Sequence, residues 1–193
     1  SSFINSEKKQ IYHKSKLVVG VENLPYKKIL EPILGNILLD FGGTVMTRAT
    51  QPYRTVYESE SNNYIAPIIC YELMYGEFVS EYVRNGAEAL AILTNEGWWG
   101  DSQGHKQLLS YSKLRSIEFR KSIIRSANTG VSAIISQRGD IVTSIPYNKK
   151  GIINDRINLS KKITFYAKYG DYIFRISLFF FLIISLFFFA KKK

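Results

Sequence analysis

The 193 residues, 46% of them hydrophobic, can form one domain with a sizeable core and exclude a disordered chain. A single cysteine excludes an intrachain disulfide framework and a cysteine-cluster zinc site. The formal net charge is +10. Because the basic residues are scattered and no nucleic-acid-reading motif accompanies them, we expect no nucleic-acid partner. The chain opens at Ser1 without a signal-peptide pattern, so we expect it to be the later part of a longer protein.

The first half of the chain alternates apolar runs with polar, loop-rich stretches. A short strand is predicted at 17–19, and a loop-rich stretch extends from about 32 to 63. A strand buried on both faces then leads to Cys70. A helix at 76–85 and a second buried strand at 89–93 follow it, so the order is strand, helix, strand.

The second half begins with a helix predicted over 102–121. Its spacing places Leu108, Tyr111, Leu114 and Ile117 on one broad apolar side. Strands follow it, and a hairpin turn joins the last two. The whole pattern predicts an α/β sandwich with a mixed sheet, whose later strands are 123–125, 131–136 and 141–145.

The C-terminus differs in kind, because residues 176–190 carry no charge. A helix over 172–190 approaches the ~30 Å of a bilayer interior at ~1.5 Å per residue. We therefore predict a domain at 1–170, a transmembrane helix at 172–190 and a basic tail at 191–193. A buried core helix or an interfacial segment is the alternative. The charges on the two sides of the helix do not settle its orientation.

Cys70 stands where a buried strand meets a polar segment, which is where open α/β proteins expose reactive groups. The helix that follows can bring backbone N–H groups close to a thiolate. A buried cysteine acting as a small hydrophobic residue is the alternative. Neither His13 nor His105 lies in a pattern typical of Cys–His proteases. Lys14 leads into an apolar segment, and Glu22 follows eight residues later.

Several segments in this order resemble the apolipoprotein N-acyltransferases, a membrane group within the nitrilase (carbon–nitrogen hydrolase) superfamily. The resemblance covers essentially the whole chain. The segments are YHKSKLV (12–18), FGG (41–43), ICYE (69–72), GEFV (76–79), TNEGWWG (94–100), RSIE (115–118), RSANTG (125–130) and YAKYGD (166–171).

The resemblance implies an α-β-β-α sandwich with a Glu-Lys-Cys triad and a thioester intermediate. It makes Cys70 the nucleophile and Lys14 the cation that stabilises the thiolate and the oxyanion. No metal or organic cofactor is implied. The resemblance further gives Glu22, Tyr71 and Glu72 supporting positions, and Trp98, Trp99 and His105 places in the substrate pocket.

Two departures from the family pattern bear on activity. The general-base Glu of the family lies several tens of residues before the Lys, and only thirteen residues precede Lys14. We therefore expect this chain to hold two triad members and to be inactive alone. Glu96 stands where Asp is more usual, and Val19 and Val21 replace a Pro and a Gly.

The expected function is acyl transfer from a phospholipid, through a thioester on Cys70, to the N-terminal amine of a diacylglyceryl-cysteine apolipoprotein. The resemblance implies a location in the bacterial inner membrane, with the catalytic domain on the periplasmic side. Two alternatives remain open. One is a membrane-tethered nitrilase-type amidase, and the other is a non-catalytic membrane-anchored binding module.

Overall fold

The computed structural model describes residues 1–4, 8–18, 22 and 50–191. In this part of the chain, a two-stranded sheet pairs β1 (Ser2–Ile4) with β2 (Lys9–Ile11). A six-stranded sheet has the order β3-β4-β5-β6-β7-β8. Its strands are β3 (Tyr57–Glu58), β4 (Tyr64–Ile69), β5 (Ala89–Thr94), β6 (Ser122–Ala127), β7 (Ser132–Ile135) and β8 (Ile141–Ile145).

The centre of the main sheet is parallel and its edges are antiparallel. β4, β5 and β6 run in one direction, because the helices α1 (Gly76–Arg84) and α2 (Gln103–Phe119) return the chain between them. The carboxyl ends of these three strands therefore meet at one edge, where side chains from three separate segments converge.

The core lies between the helices and the sheet. α1 buries one side because its apolar residues recur at helical spacing, and these meet apolar residues of β4, β5 and β6. Ser102 accepts a hydrogen bond from the Gly104 N–H and caps the start of α2. The core residues include Phe78, Val79, Tyr82 and Val83 on α1, Leu108 and Phe119 on α2, and Ile68, Leu90, Ile92 and Ile123 in the sheet.

The apolar side predicted for α2 is wrong in part. Leu108 is 2% exposed as expected, but Leu114 and Ile117 are 41% and 42% exposed. The buried side instead carries polar residues such as Ser112 and Arg115. Arg115 donates to the Leu73 carbonyl, and Ser112 accepts a hydrogen bond from Arg125. Polar partners therefore decide which side of α2 faces inward at these positions.

The strand predicted at 17–19 is also wrong at Leu17 and Val18, and residue 19 lies outside the described residues. The Val18 carbonyl accepts the N–H of Glu22 and its own N–H bonds to the Glu22 carboxylate, which closes a turn. β1, β2 and β3 were not predicted, because strands of two or three residues leave no alternating pattern. Of the predicted loop at 32–63, the structure describes only the part from residue 50.

Two helices close the chain. α3 (Phe165–Tyr169) packs against α1, and α4 (Tyr172–Lys191) follows it. α4 has 20 residues and none of its side chains is buried. Among the described residues it is the one helix long and apolar enough to cross a membrane. Residues 192 and 193 of the predicted basic tail lie outside the described residues.

The corrected orientation of α2 can be tested with two leucines on the same helix. We expect Leu108→Ala to lower the free energy of unfolding by about 2–5 kcal/mol, because it opens a cavity in the core. Leu114→Ala should cost less than about 1 kcal/mol, because that side chain is half-exposed. Denaturant unfolding of the two variants would check this. Equal losses would contradict the observed orientation.

Candidate active site

An open cavity of about 650 Å³ lies at the carboxyl ends of the parallel strands β4, β5 and β6. The segment that precedes the main sheet forms its opposite wall. Because the cavity gathers side chains from distant parts of the chain, it can hold a reacting group between them. Its lining includes Tyr12, His13, Lys14, Glu22, Cys70, Thr94, Asn95, Trp98, Ser126 and Asn128.

Cys70 lies directly after β4 and opens a short 3₁₀ helix, Cys70–Met74, called here the cysteine turn. Its side chain lines the cavity and is 6% exposed. Its φ is +50°, a left-handed conformation that costs a non-glycine residue free energy. The sharp change of direction turns the thiol away from the sheet and into the cavity.

Lys14 lies on the same cavity and forms an ion pair with Glu22. The distance from Lys14 Nζ to Glu22 Oε2 is 2.5 Å, and the two side chains are 11% and 10% exposed. The same carboxylate oxygen accepts the Val18 N–H at 2.9 Å. Residues 12–18 are called here the lysine segment. The turn that it makes with Glu22 fixes the ammonium group at the cavity wall.

The carboxylate of Glu72 joins the lysine segment to the cysteine turn. It is fully buried, and one oxygen accepts the Ile69 N–H at 2.8 Å. The other accepts the Ser15 N–H at 2.6 Å and the Tyr12 hydroxyl at 2.7 Å. Burial and the hydrogen bond to Glu72 raise the pKa of Tyr12, so its hydroxyl stays protonated and donates. Glu72 therefore positions both walls of the cavity without lining it.

Arg115 holds the other end of the cysteine turn. Its Nε donates to the Leu73 carbonyl at 2.9 Å, and Nη2 donates to the Met74 carbonyl at 3.3 Å. Glu118 forms an ion pair with the same guanidinium. These carbonyls lack partners inside a helix end, so Arg115 satisfies them and ties the turn to α2.

A second buried ion pair, Arg125 with Glu96, lies behind the far wall of the cavity. Burial raises the pKa of Glu96 above its usual value, and the nearby Arg125 offsets only part of that rise. Arg125 also donates to Ser112 Oγ at 3.1 Å. Burial lowers the pKa of Arg125, whereas negative charge on Glu96 and on Cys70 raises it. The ion pair of Arg125 with Glu96 thus places two mutually neutralising charges behind the cavity.

The cavity brings together some of the predicted site residues and not others. Cys70, Lys14, Glu22 and Trp98 line it, whereas Glu72 lies buried behind it. Tyr71 is not among the described lining residues, and its ring meets the ring of Tyr75 edge-on.

Trp99 and His105 also stand apart from the described lining. The Trp99 ring stacks on Trp98 with centroids 6.1 Å apart. His105 Nε2 lies 3.0 Å from Asp101 Oδ1, and its ring stacks on Tyr147. Trp99 thus contacts Trp98 and not the described lining, while contacts with Asp101 and Tyr147 account for His105.

Sequence reasoning assigned no role to Tyr12, Arg125 or Asn128. Asn128 lines the cavity, and its side chain accepts the Glu96 N–H at 2.8 Å. Their position could have indicated a role, because Arg125 lies in the second half of β6 and Asn128 directly follows it. β6 runs parallel to β5 and β4, so its carboxyl end lies at the same edge of the sheet as Cys70. Among the described residues there is no group of three or more His, Cys, Asp or Glu side chains that could hold a metal ion.

A protein-family model described as carbon-nitrogen hydrolase matches residues 2–164. Among solved structures, Saccharomyces cerevisiae Nit3, a member of branch 10 of the nitrilase superfamily, is 16% identical with a TM-score of 0.46. That match covers 54% of this chain and 41% of the other. An amidase from Nesterenkonia sp. is 16% identical with a TM-score of 0.45, over the same shares of the two chains.

Curated relatives are similar over most of the chain. The apolipoprotein N-acyltransferase of Wigglesworthia glossinidia brevipalpis is 29% identical over 195 residues, which covers 100% of this chain and 37% of that protein. The enzyme of the same name from Chlorobaculum tepidum is 34% identical over 175 residues, which covers 84% of this chain and 31% of that protein. The chain thus spans about a third of the length of the curated relatives it matches.

We expect Glu72→Gln to lower the free energy of unfolding by about 3–5 kcal/mol, because an amide turns a donor towards N–H groups that already donate. The same substitution should change the rate at which iodoacetamide alkylates Cys70, since the cysteine turn loses its tie to the lysine segment. Glu81→Gln is the matched control. Its pair with Arg54 lies at the surface, so it should cost less than about 1 kcal/mol. Similar losses in both variants would contradict the role of Glu72 in joining the lysine segment to the cysteine turn.

Gly130 leaves room for the side chain of Glu96, because a Cβ at this position would overlap Glu96 Oε2. We expect Gly130→Ala to destabilise the protein by about 1–3 kcal/mol. In a Glu96→Asp background the carboxylate is one methylene shorter, so the same substitution should cost less. A double-mutant cycle of unfolding free energies measures this coupling. Additive effects would show that the two sites are independent.

Proposed function

The chain belongs to the carbon–nitrogen hydrolase family, and from this premise we propose that it is the Cys70-bearing part of an apolipoprotein N-acyltransferase. One observation carries the proposal. The thiol of Cys70 and the ammonium of Lys14 lie on one cavity at the carboxyl ends of parallel strands. The curated relatives that share this name support the choice of acyl transfer within the family.

The proposed nucleophile is the thiolate of Cys70. A thiolate attacks an ester carbonyl readily, and a nearby cation favours the thiolate over the thiol. Lys14 supplies a cation at the cavity wall. We propose that the Lys14 ammonium, paired with Glu22 on the same cavity, also stabilises the oxyanion that forms on attack.

The reaction would proceed in two steps. The sulfur attacks an ester carbonyl of a phospholipid, the C–O bond breaks, and the lysophospholipid leaves as an alcohol with the proton that the thiol gave up. The amine of a diacylglyceryl-cysteine apolipoprotein then attacks the thioester. An amide bond forms, the C–S bond breaks, and the amine proton returns to the sulfur. Protection of the thioester from water favours the amine over hydrolysis.

The C-terminal helix α4 supports a membrane location for this chemistry. We propose that residues 1–170 form the C-terminal part of the catalytic domain and that residues 172–190 span the bacterial inner membrane, with the basic tail 191–193 beyond it. The length and composition of α4 support the span. A periplasmic catalytic domain would place the cavity beside both lipid substrates.

The test is intact-mass analysis of the full-length parent protein in detergent, incubated with phospholipid, because we expect the present chain to lack the general-base Glu and to form no adduct alone. We expect the mass of one acyl group to be added, to be removed by hydroxylamine and to be absent in Cys70→Ala. Lys14→Met should slow adduct formation by about 10²-fold or more, because an oxyanion donor is lost. Lys16→Met is the matched control on the same segment and should leave the rate nearly unchanged, because Lys16 is not among the described lining residues of the cavity.

Addition of a diacylglyceryl lipopeptide with a free amine then separates the candidate activities. The proposal expects the adduct to disappear as the N-acylated lipopeptide forms. Release of free fatty acid without lipopeptide acylation would favour a hydrolase of the same family. Absence of any adduct on Cys70 would contradict both activities.

A further inference from the structure

A second cavity, of about 350 Å³, lies between α1 and the start of α4. It shares no described lining residue with the Cys70 cavity. Three basic side chains from α1, α3 and α4 converge on it, together with one carboxylate. The residues that line it are Glu77, Ser80, Arg84, Lys168, Tyr169, Gly170 and Arg175.

The carboxylate in this cavity is already engaged. Glu77 Oε1 accepts the Asp171 N–H at 2.9 Å and forms an ion pair with Arg175. Arg175 donates in addition to the Tyr169 carbonyl at 2.8 Å. The negative charge of Glu77 is therefore neutralised by Arg175, and these contacts hold the start of α4 against α1.

The other two cations keep hydrogen-bond donors available. Arg84 uses Nη1 for the Ser80 hydroxyl and the Ala167 carbonyl, both at 2.8 Å. Its remaining N–H groups have no partner within the described residues. Lys168 has no acidic partner there either, and its ammonium lies 5.1 Å from the centre of the Tyr169 ring. An ammonium and part of a guanidinium can thus bind one anion together.

The position of the cavity indicates which anion would reach it. Arg175 lies in the first turn of α4, so insertion of α4 into a membrane would bring the cavity to the level of the lipid headgroups. At that level the abundant anionic group is the phosphate of a phospholipid. Basic side chains next to a transmembrane helix bind such headgroups by charge.

We propose that this second cavity binds the phosphate group of a membrane phospholipid through Lys168 and Arg84. The proposal rests on the membrane insertion of α4 given under the proposed function, but it does not depend on acyl transfer at Cys70. The bound lipid would hold the domain at a fixed height above the bilayer.

The test is native mass spectrometry of the Cys70→Ala protein in detergent, titrated with an ether-linked phosphatidylglycerol that cannot donate an acyl group. We expect the protein to retain one lipid whose binding Lys168→Gln weakens about fivefold, which corresponds to the ~1 kcal/mol of one lysine near a lipid surface. Lys168→Arg should restore binding. Arg84→Gln combined with Lys168→Gln should weaken it further.

The matched control combines Arg138→Gln with Lys150→Gln, which removes the same charge from exposed residues outside the cavity. It should leave binding unchanged. If the control weakened lipid binding as much as the cavity variants do, general charge attraction would explain the binding and the proposed site would be overturned. Equal retention of an ether-linked diacylglycerol would overturn the role of phosphate. Lys168-dependent binding of inorganic phosphate without lipid retention would overturn the lipid source.

The same preparation separates this proposal from the proposed function. Because Cys70→Ala forms no thioester, lipid retention is measured without acyl transfer. If native Cys70 formed no adduct while Lys168-dependent retention persisted, the catalytic proposal alone would fail. If adduct formation occurred without Lys168-dependent retention, the second site alone would fail.

Discussion

The buried carboxylate of Glu72 is the interaction on which the rest of the site depends. Glu72 accepts hydrogen bonds from Ile69 and also from Ser15 and Tyr12. Ser15 and Tyr12 lie 57 and 60 residues before Glu72 in the chain. A lone buried carboxylate is costly, but three short hydrogen bonds from backbone and hydroxyl donors stabilise its charge. These hydrogen bonds hold the segment that carries Lys14 against the cysteine turn, so that the Lys14 ammonium and the Cys70 thiol lie on the same cavity.

The cysteine turn stores the backbone strain of Cys70 and is held from both ends. Glu72 binds its start through the Ile69 N–H, and Arg115 binds its last carbonyls from α2. Because both groups are charged and buried, neither is replaceable by an apolar side chain without freeing the turn. This requirement explains why α2 buries polar residues: its inward side supports the site as well as the core.

The fold was largely predictable from sequence, and the site only in part. Apolar runs and helical spacing predicted β4 to β8, α1, α2 and α4 but not the five-residue α3, and the predicted nitrilase-type fold is confirmed by the family match. The three short strands and the turn at Val18 depend on hydrogen bonds to distant residues, which no local pattern records. For the same reason, the contacts of Glu72 and the pairing of Arg125 with Glu96 required the three-dimensional arrangement.

The contacts around Gly76 connect the cysteine turn with the C-terminal helices. A side chain at Gly76 would overlap Tyr166 of α3 and Arg115 of α2, so α1 begins where three elements meet. The next residue, Glu77, binds the backbone of Asp171 and the side chain of Arg175. Only a few residues therefore separate Cys70 from the contacts that hold the start of α4 against α1. If α4 spans a membrane as proposed, these contacts constrain the direction in which the Cys70 cavity opens relative to the bilayer.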